Sequence, residues 1–162
     1  MSAVHHYNPF FLPEYPPSQQ IEDLQALANY IDEYVQESLP IYQDVILEEI
    51  ELVREFKQKA DLAGDGNSRR IQALFQSNLD LDLQMMHDKQ EICRTQVQQF
   101  EEVRTKIVWK TSAKLADNRL ASVLVRQAKK DLAEIRKVHA ALLKEAQQLH
   151  TEDTDTSLLG GR

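Results

Sequence analysis

Apolar residues recur at helical spacing along most of the chain. Ile21, Leu24, Ala28, Ile31 and Val35 step by 3, 4, 3 and 4. That spacing lines them on one face of a helix from about Gln20 to Ser38. Ser18 is placed to cap it, and Glu22 and Asp23 fall in the first turn, where negative charge suits the helix dipole. Pro40 is expected to end this helix, because a proline pushes the residue before it out of the α region. A second seam, Ile46, Ile50, Val53, Phe56 and Ala60, predicts a helix from Ile41 to Ala63 with Pro40 in its first turn. Asp44, Glu48 and Glu49 lie early in it and Arg54, Lys57 and Lys59 late, an order that matches the dipole. Gly64-Asp65-Gly66-Asn67-Ser68 is the strongest turn signal in the chain. Gly64 can supply a left-handed cap to one helix and Ser68 an N-cap to the next.

Residues 69–150 contain neither Pro nor Gly. The seam Leu79, Leu83, Met86, Gln90, Cys93, Val97, Phe100, Arg104 and Ile107 alternates steps of 4 and 3, a heptad pattern with two polar entries. A later seam holds Leu124, Ala128, Leu132, Ile135, His139, Leu142, Ala146 and Leu149. The two do not share one phase. The slip falls between Trp109 and Asn118, where Thr111, Ser112, Asp117 and Asn118 have weaker helix propensity. A helix boundary is expected there, with a continuous rod as the alternative. The predicted fold is all-α: an elongated helical bundle or coiled coil over residues 20–150, built from an αα-hairpin and a long helix or helix pair.

Composition agrees. The chain of 162 residues is 42% hydrophobic and 28% charged, with 4 Gly and 5 Pro. No run approaches the length of apolar sequence that spans a membrane. The N-terminus lacks the basic-then-apolar order of a secretory signal. One cysteine cannot form an intramolecular disulfide, so a reducing, intracellular and cytoplasmic setting is expected. Charge changes the picture more. Residues 1–103 carry 7 Lys/Arg and 19 Asp/Glu, a net −12, whereas residues 104–150 carry 11 and 4, a net +7. Such a split can orient a partner or a fold-back. The ends differ from the middle. Residues 1–19 hold four of the five prolines and read as an extended docking arm, and residues 151–162 read as a disordered acidic tail.

The candidate chemistry is sparse. In the arm, Tyr7, Asn8, Pro9, Phe10, Phe11, Leu12 and Tyr15 form an aromatic segment suited to anchoring in a partner's pocket. Asn8-Pro9-Phe10 resembles the tripeptide bound by EH domains of endocytic adaptors, which implies a trafficking role as one reading. Leu132, Ile135, Leu142 and Leu149 are expected to meet a partner helix. Gln90 and Arg104, polar entries in an apolar seam, either set register or face a bundle edge. Neither His5-His6 nor Met85-Met86-His87-Asp88 supplies the three or four converging ligands of a metal site. Cys93 has no recognisable base beside it and reads as a small core residue. His139 reads as a packed or hydrogen-bonded core imidazole. The basic residues Arg126, Lys129, Lys130, Arg136 and Lys137 have no aromatic partners for nucleic acid and read as a solvated face or a match for an acidic partner.

No phosphate loop, nucleophile elbow or Cys-x-x-Cys pair is present. No cofactor, specific nucleic acid or membrane-surface contact is expected. The expected function is therefore a non-catalytic structural subunit or adaptor that packs against other helical chains as a hetero-oligomer. The alternative is an autonomous helical binding module.

Overall fold

The computed structural model describes residues 17–64, 66–109 and 115–160, and in these the chain is helical throughout apart from Gly64. Helix α1 spans Pro17–Glu33, a π-helical turn spans Tyr34–Ser38, and helix α2 spans Leu39–Ala63. Helix α3 spans Gly66–Trp109 and helix α4 spans Leu115–Gly160. The all-α bundle is as expected, and the break between α3 and α4 falls in the expected segment, but the expected change of phase is absent: the buried positions on either side share one heptad register, with Ala121 six heptads after Leu79. The docking-arm residues Tyr7, Asn8, Pro9, Phe10, Phe11, Leu12 and Tyr15 lie outside the described residues.

Three local readings are corrected. Pro40 does not end a helix. Helical backbone runs from α1 through the π-turn into α2, so residues 20–63 form one long helix and not a hairpin. A strict heptad continued from Val35 would place its next core positions at 38, 42, 45 and 49. The buried residues are instead Leu39, Ile46 and Ile50, each one position later than that register. The wider π-turn holds one residue more than an α-turn. It therefore absorbs the slip, and it rearranges the hydrogen bonding where Pro40 has no N–H to give. Ser68 is likewise not a cap but sits buried inside the first turn of α3. Residues 151–160, expected as a disordered tail, continue the backbone of α4. Extending an existing helix by a residue is much easier than starting one.

Gly64 closes α2 as the turn signal implied. Its φ is +61° and its N–H donates to the Ala60 carbonyl at 2.9 Å, the left-handed cap that a side chain would strain.

The chain packs as two compact units. The first joins α1 and the π-turn to residues 89–109 of α3 and 115–135 of α4. Its core holds Leu24, Ala28, Ile31 and Val35 from the first helix, Cys93, Val97 and Phe100 from α3, and Ala121, Val125, Ala128, Leu132 and Ile135 from α4. The second joins α2 to residues 66–88 of α3 and 136–160 of α4. Its core holds Leu39, Ile46, Ile50, Val53 and Ala60, then Leu79 and Met86, then Val138, Leu142 and Leu149. The seam of α4 is tidier than expected. Val125 and Ala121 are buried and Leu124 is half-buried. The true series 121, 125, 128, 132, 135, 139, 142 and 149 keeps heptad phase throughout.

Candidate functional site

The α4 seam residues expected to meet a partner helix are already covered. Leu132 and Ile135 are buried in the first unit, and Leu142 and Leu149 in the second, all by the chain's own helices. Gln90 and Arg104 sit half-buried on α3 in the first unit. The Gln90 Oε1 and the Arg104 Nε are shielded from solvent and find no hydrogen-bond partner among the described residues. Cys93 is fully buried, and burial pushes its thiol up, against the opposing charge of Lys89. No group of three or more His, Cys, Asp or Glu among the described residues is placed to hold a metal. No described helix is long and apolar enough to cross a membrane.

What the sequence reading missed is a second apolar stripe. On α3, Leu74, Leu81 and Met85 are 58–61% exposed, and Ile71 lies partly exposed one turn before them. Positions 71, 74, 78, 81 and 85 step by 3, 4, 3 and 4, so they share a face. Asn78 is its one polar entry. On α2, Ile41 at 63% and Val45 at 41% are also exposed and stand one turn apart.

Contacts between α2 and α3 set these two faces side by side. Glu49 hydrogen-bonds Asp82, the rings of Phe56 and Phe75 stack with centroids 5.7 Å apart, and Arg69 pairs with Asp61 at 3.6 Å. The pairings descend on α3 as they rise on α2, which is antiparallel packing. Val45 stands one turn before Glu49, and Met85 stands three residues after Asp82. The apolar residues thus flank the carboxylate pair along the outer groove between the two helices.

The carboxylate pair is unusual. Burial, the hydrogen bond that the protonated Glu49 carboxyl donates to Asp82, and repulsion from Asp82 and Glu48 together push the Glu49 carboxyl up to about 7. Its Oε2 is shielded and without a partner among the described residues. The folded chain therefore binds this proton more tightly than the unfolded chain, whose value is near 4.5. The contribution to stability is complete below pH 4.5 and is lost as pH rises through 7. Glu49→Gln should therefore stabilise the protein by about 1 kcal/mol at alkaline pH, after allowance for partial solvation of the pair. At the acid end the variant and the parent should match. Thermal melts across this range test it, and an equal difference at both ends would refute the assignment.

Two further polar layers lie in the cores. In the second unit, the buried His139 ring accepts neighbours from α3: the His87 ring lies 5.8 Å away and the Leu83 backbone carbonyl receives its hydrogen bond. Burial, and then the charge of His87, hold His139 below its usual 6.5 despite the Leu83 carbonyl. Its effect on stability is opposite to that of Glu49, since acidification below 6.5 favours the unfolded chain. In the first unit, Gln127 donates to Asp131 at 3.2 Å and to Asp32 of α1 at 3.5 Å. Burial is the main cause that raises the Asp131 carboxyl, opposed by the Gln127 hydrogen bond and reinforced by Asp32. Lys89 lies over the rings of Tyr30 and Tyr34, at 4.3 and 5.0 Å, and joins α3 to the first helix. Each of these layers ties two helices together.

Comparison with family models, with curated proteins and with solved structures gives no match.

Proposed function

We propose that the chain is a non-catalytic adaptor or structural subunit that binds a partner helix in the α2/α3 groove of its second unit. One observation carries this reading: Leu74, Leu81 and Met85 repeat at heptad spacing on α3 yet stay 58–61% exposed. A soluble chain seldom leaves so regular an apolar stripe uncovered, because each such side chain favours burial by about 1.5–3 kcal/mol. A helix laid along the groove would complete a four-helix packing. The buried polar layers support the same reading, since they fix helix register and offer no paired nucleophile and base.

The second reading, an autonomous binding module, draws support from a different observation. Leu132, Ile135, Leu142 and Leu149 need no partner to be covered. The two readings differ in whether the chain folds alone, and they share the groove as the binding surface.

The test compares native complexes of the parent with those of the double variant Leu81→Ser/Met85→Ser. Both side chains are exposed, so the variant should melt as the parent does. Loss of specific partners with unchanged melting is the expected result. Retention of every partner would rule out the groove.

A further inference from the structure

We propose that the occupant of the α2/α3 groove is a basic amphipathic helix of a different protein. This rests on the docking reading above and adds the chemistry of the partner. The groove is built from two segments with an excess of acid. Residues 41–57 of α2, from Ile41 to the level of Leu74, carry Asp44, Glu48, Glu49, Glu51 and Glu55 against Arg54 and Lys57, and Arg54 is paired with Glu51. Residues 71–88 of α3 carry Asp80, Asp82 and Asp88 and no Lys or Arg. An excess of one sign on both walls favours a partner of the other sign.

Within this groove, Glu49 and Asp82 stand in hydrogen-bond contact. Repulsion between two carboxylates this close favours a shared proton, which raises the Glu49 carboxyl. A Lys or Arg from a partner would replace the proton with a charge-assisted bond. Ile41 and Val45 on one wall and Leu81 and Met85 on the other would take the apolar seam of the same helix. Met85 can adapt its shape to branched or unbranched side chains. From Leu74 to Met85 the stripe runs on the order of 16 Å at the helical rise, which fits a partner helix of about three turns.

A second copy of the chain fits poorly. Two-fold pairing through this groove would set carboxylates against carboxylates. The basic exposed residues of α4 in the same unit, Arg136, Lys137 and Lys144, come without any large exposed hydrophobic from 136 to 151 to fill the groove.

The test uses the full chain and three synthetic peptides of about 14 residues, long enough to cover the stripe. One has a Leu seam at heptad spacing flanked by Lys, one has the same seam flanked by Glu, and one has the Lys composition scrambled so that no seam forms. Fluorescence anisotropy reads binding at physiological salt. The Lys-flanked seam peptide should bind at least about tenfold tighter than either control, and high salt should weaken it by about the same factor. Leu81→Ser/Met85→Ser should weaken it about tenfold, and Glu49→Gln/Asp82→Asn several-fold, whereas Leu62→Ser at the far end of α2 should not.

Equal binding of the Lys- and Glu-flanked seam peptides would overturn the basic partner while leaving the docking reading intact. Failure of both seam peptides would overturn the two together. Equal binding of the scrambled peptide would reduce the effect to adsorption by charge and overturn the proposal. A dimer in sedimentation that the Leu81→Ser/Met85→Ser variant abolishes would make a second copy the occupant, with the same consequence.

Discussion

Deleting Gln36 is expected to cost about 3 kcal/mol, whereas Gln36→Ala should change stability by less than about 0.5 kcal/mol. Gln36 is exposed and lies inside the π-turn, so its side chain contributes little to packing. Its backbone is the extra residue that the wider turn holds. Without it, Leu39, Ile46 and Ile50 would stand at 38, 45 and 49, the strict heptad positions that follow Val35, so a regular α-turn would keep their register. The cost that remains is that of Pro40. It would then lie in regular α-helical backbone, where the missing N–H and the ring clash cost about 3 kcal/mol. Urea unfolding of the two variants decides it. Similar midpoints for deletion and substitution would mean that the π-turn does nothing to accommodate Pro40.

Phe100→Ala should cost about 3–5 kcal/mol and lower the melting temperature by roughly 10 °C. Phe100 is the largest of the fully buried side chains among the described residues, at 0% exposure, and stands in the α3 face of the first unit beside Val97. Alanine there leaves a void that the neighbouring helices can close only in part. Leu62→Ala removes a comparable apolar side chain that is 89% exposed, and it should change stability by less than about 0.5 kcal/mol. A loss below about 1 kcal/mol for Phe100→Ala would contradict the packing of the first unit.

The helices and most of their inward faces were legible in the sequence because burial and periodicity are the same physical fact. Most of the described seam positions of α1, α2 and α3 are buried, with Phe56, Leu83, Gln90 and Arg104 only half-covered. The break after Trp109 shows in the weaker helix formers that follow it, whereas the change of phase expected there comes only from placing Leu124 in the seam. Pro40 misled because proline and a one-residue slip have two solutions, a chain break or a wider turn, and sequence spacing does not choose between them. Leu124 entered the α4 seam in place of Val125 because both are apolar and adjacent, and only the packing partner decides which turns inward.

The candidate site was much less legible. A heptad seam looks the same whether its own chain or another covers it, so Leu132, Ile135, Leu142 and Leu149 were read as partner contacts when they belong to the cores. The Leu74, Leu81 and Met85 stripe was hidden for the same reason. It runs beside the Leu79 and Met86 seam on the same helix and merges with it in any one-dimensional pattern. Glu49 and Asp82 are far apart in sequence and meet only because α2 and α3 pack antiparallel.

The full burial of Cys93 turns the chain's one thiol into a chemical clock for the first unit. An alkylating reagent can reach the sulfur only after the helices around it separate, and burial also keeps the unreactive thiol form favoured. At low reagent the labelling rate measures how often the unit stands open, and at high reagent it measures how fast it opens. Kinetics of local opening can therefore be read on the unmodified protein, with no probe introduced. In Phe100→Ala that clock should run faster, since Phe100 lies two helical turns from Cys93 on the same buried face.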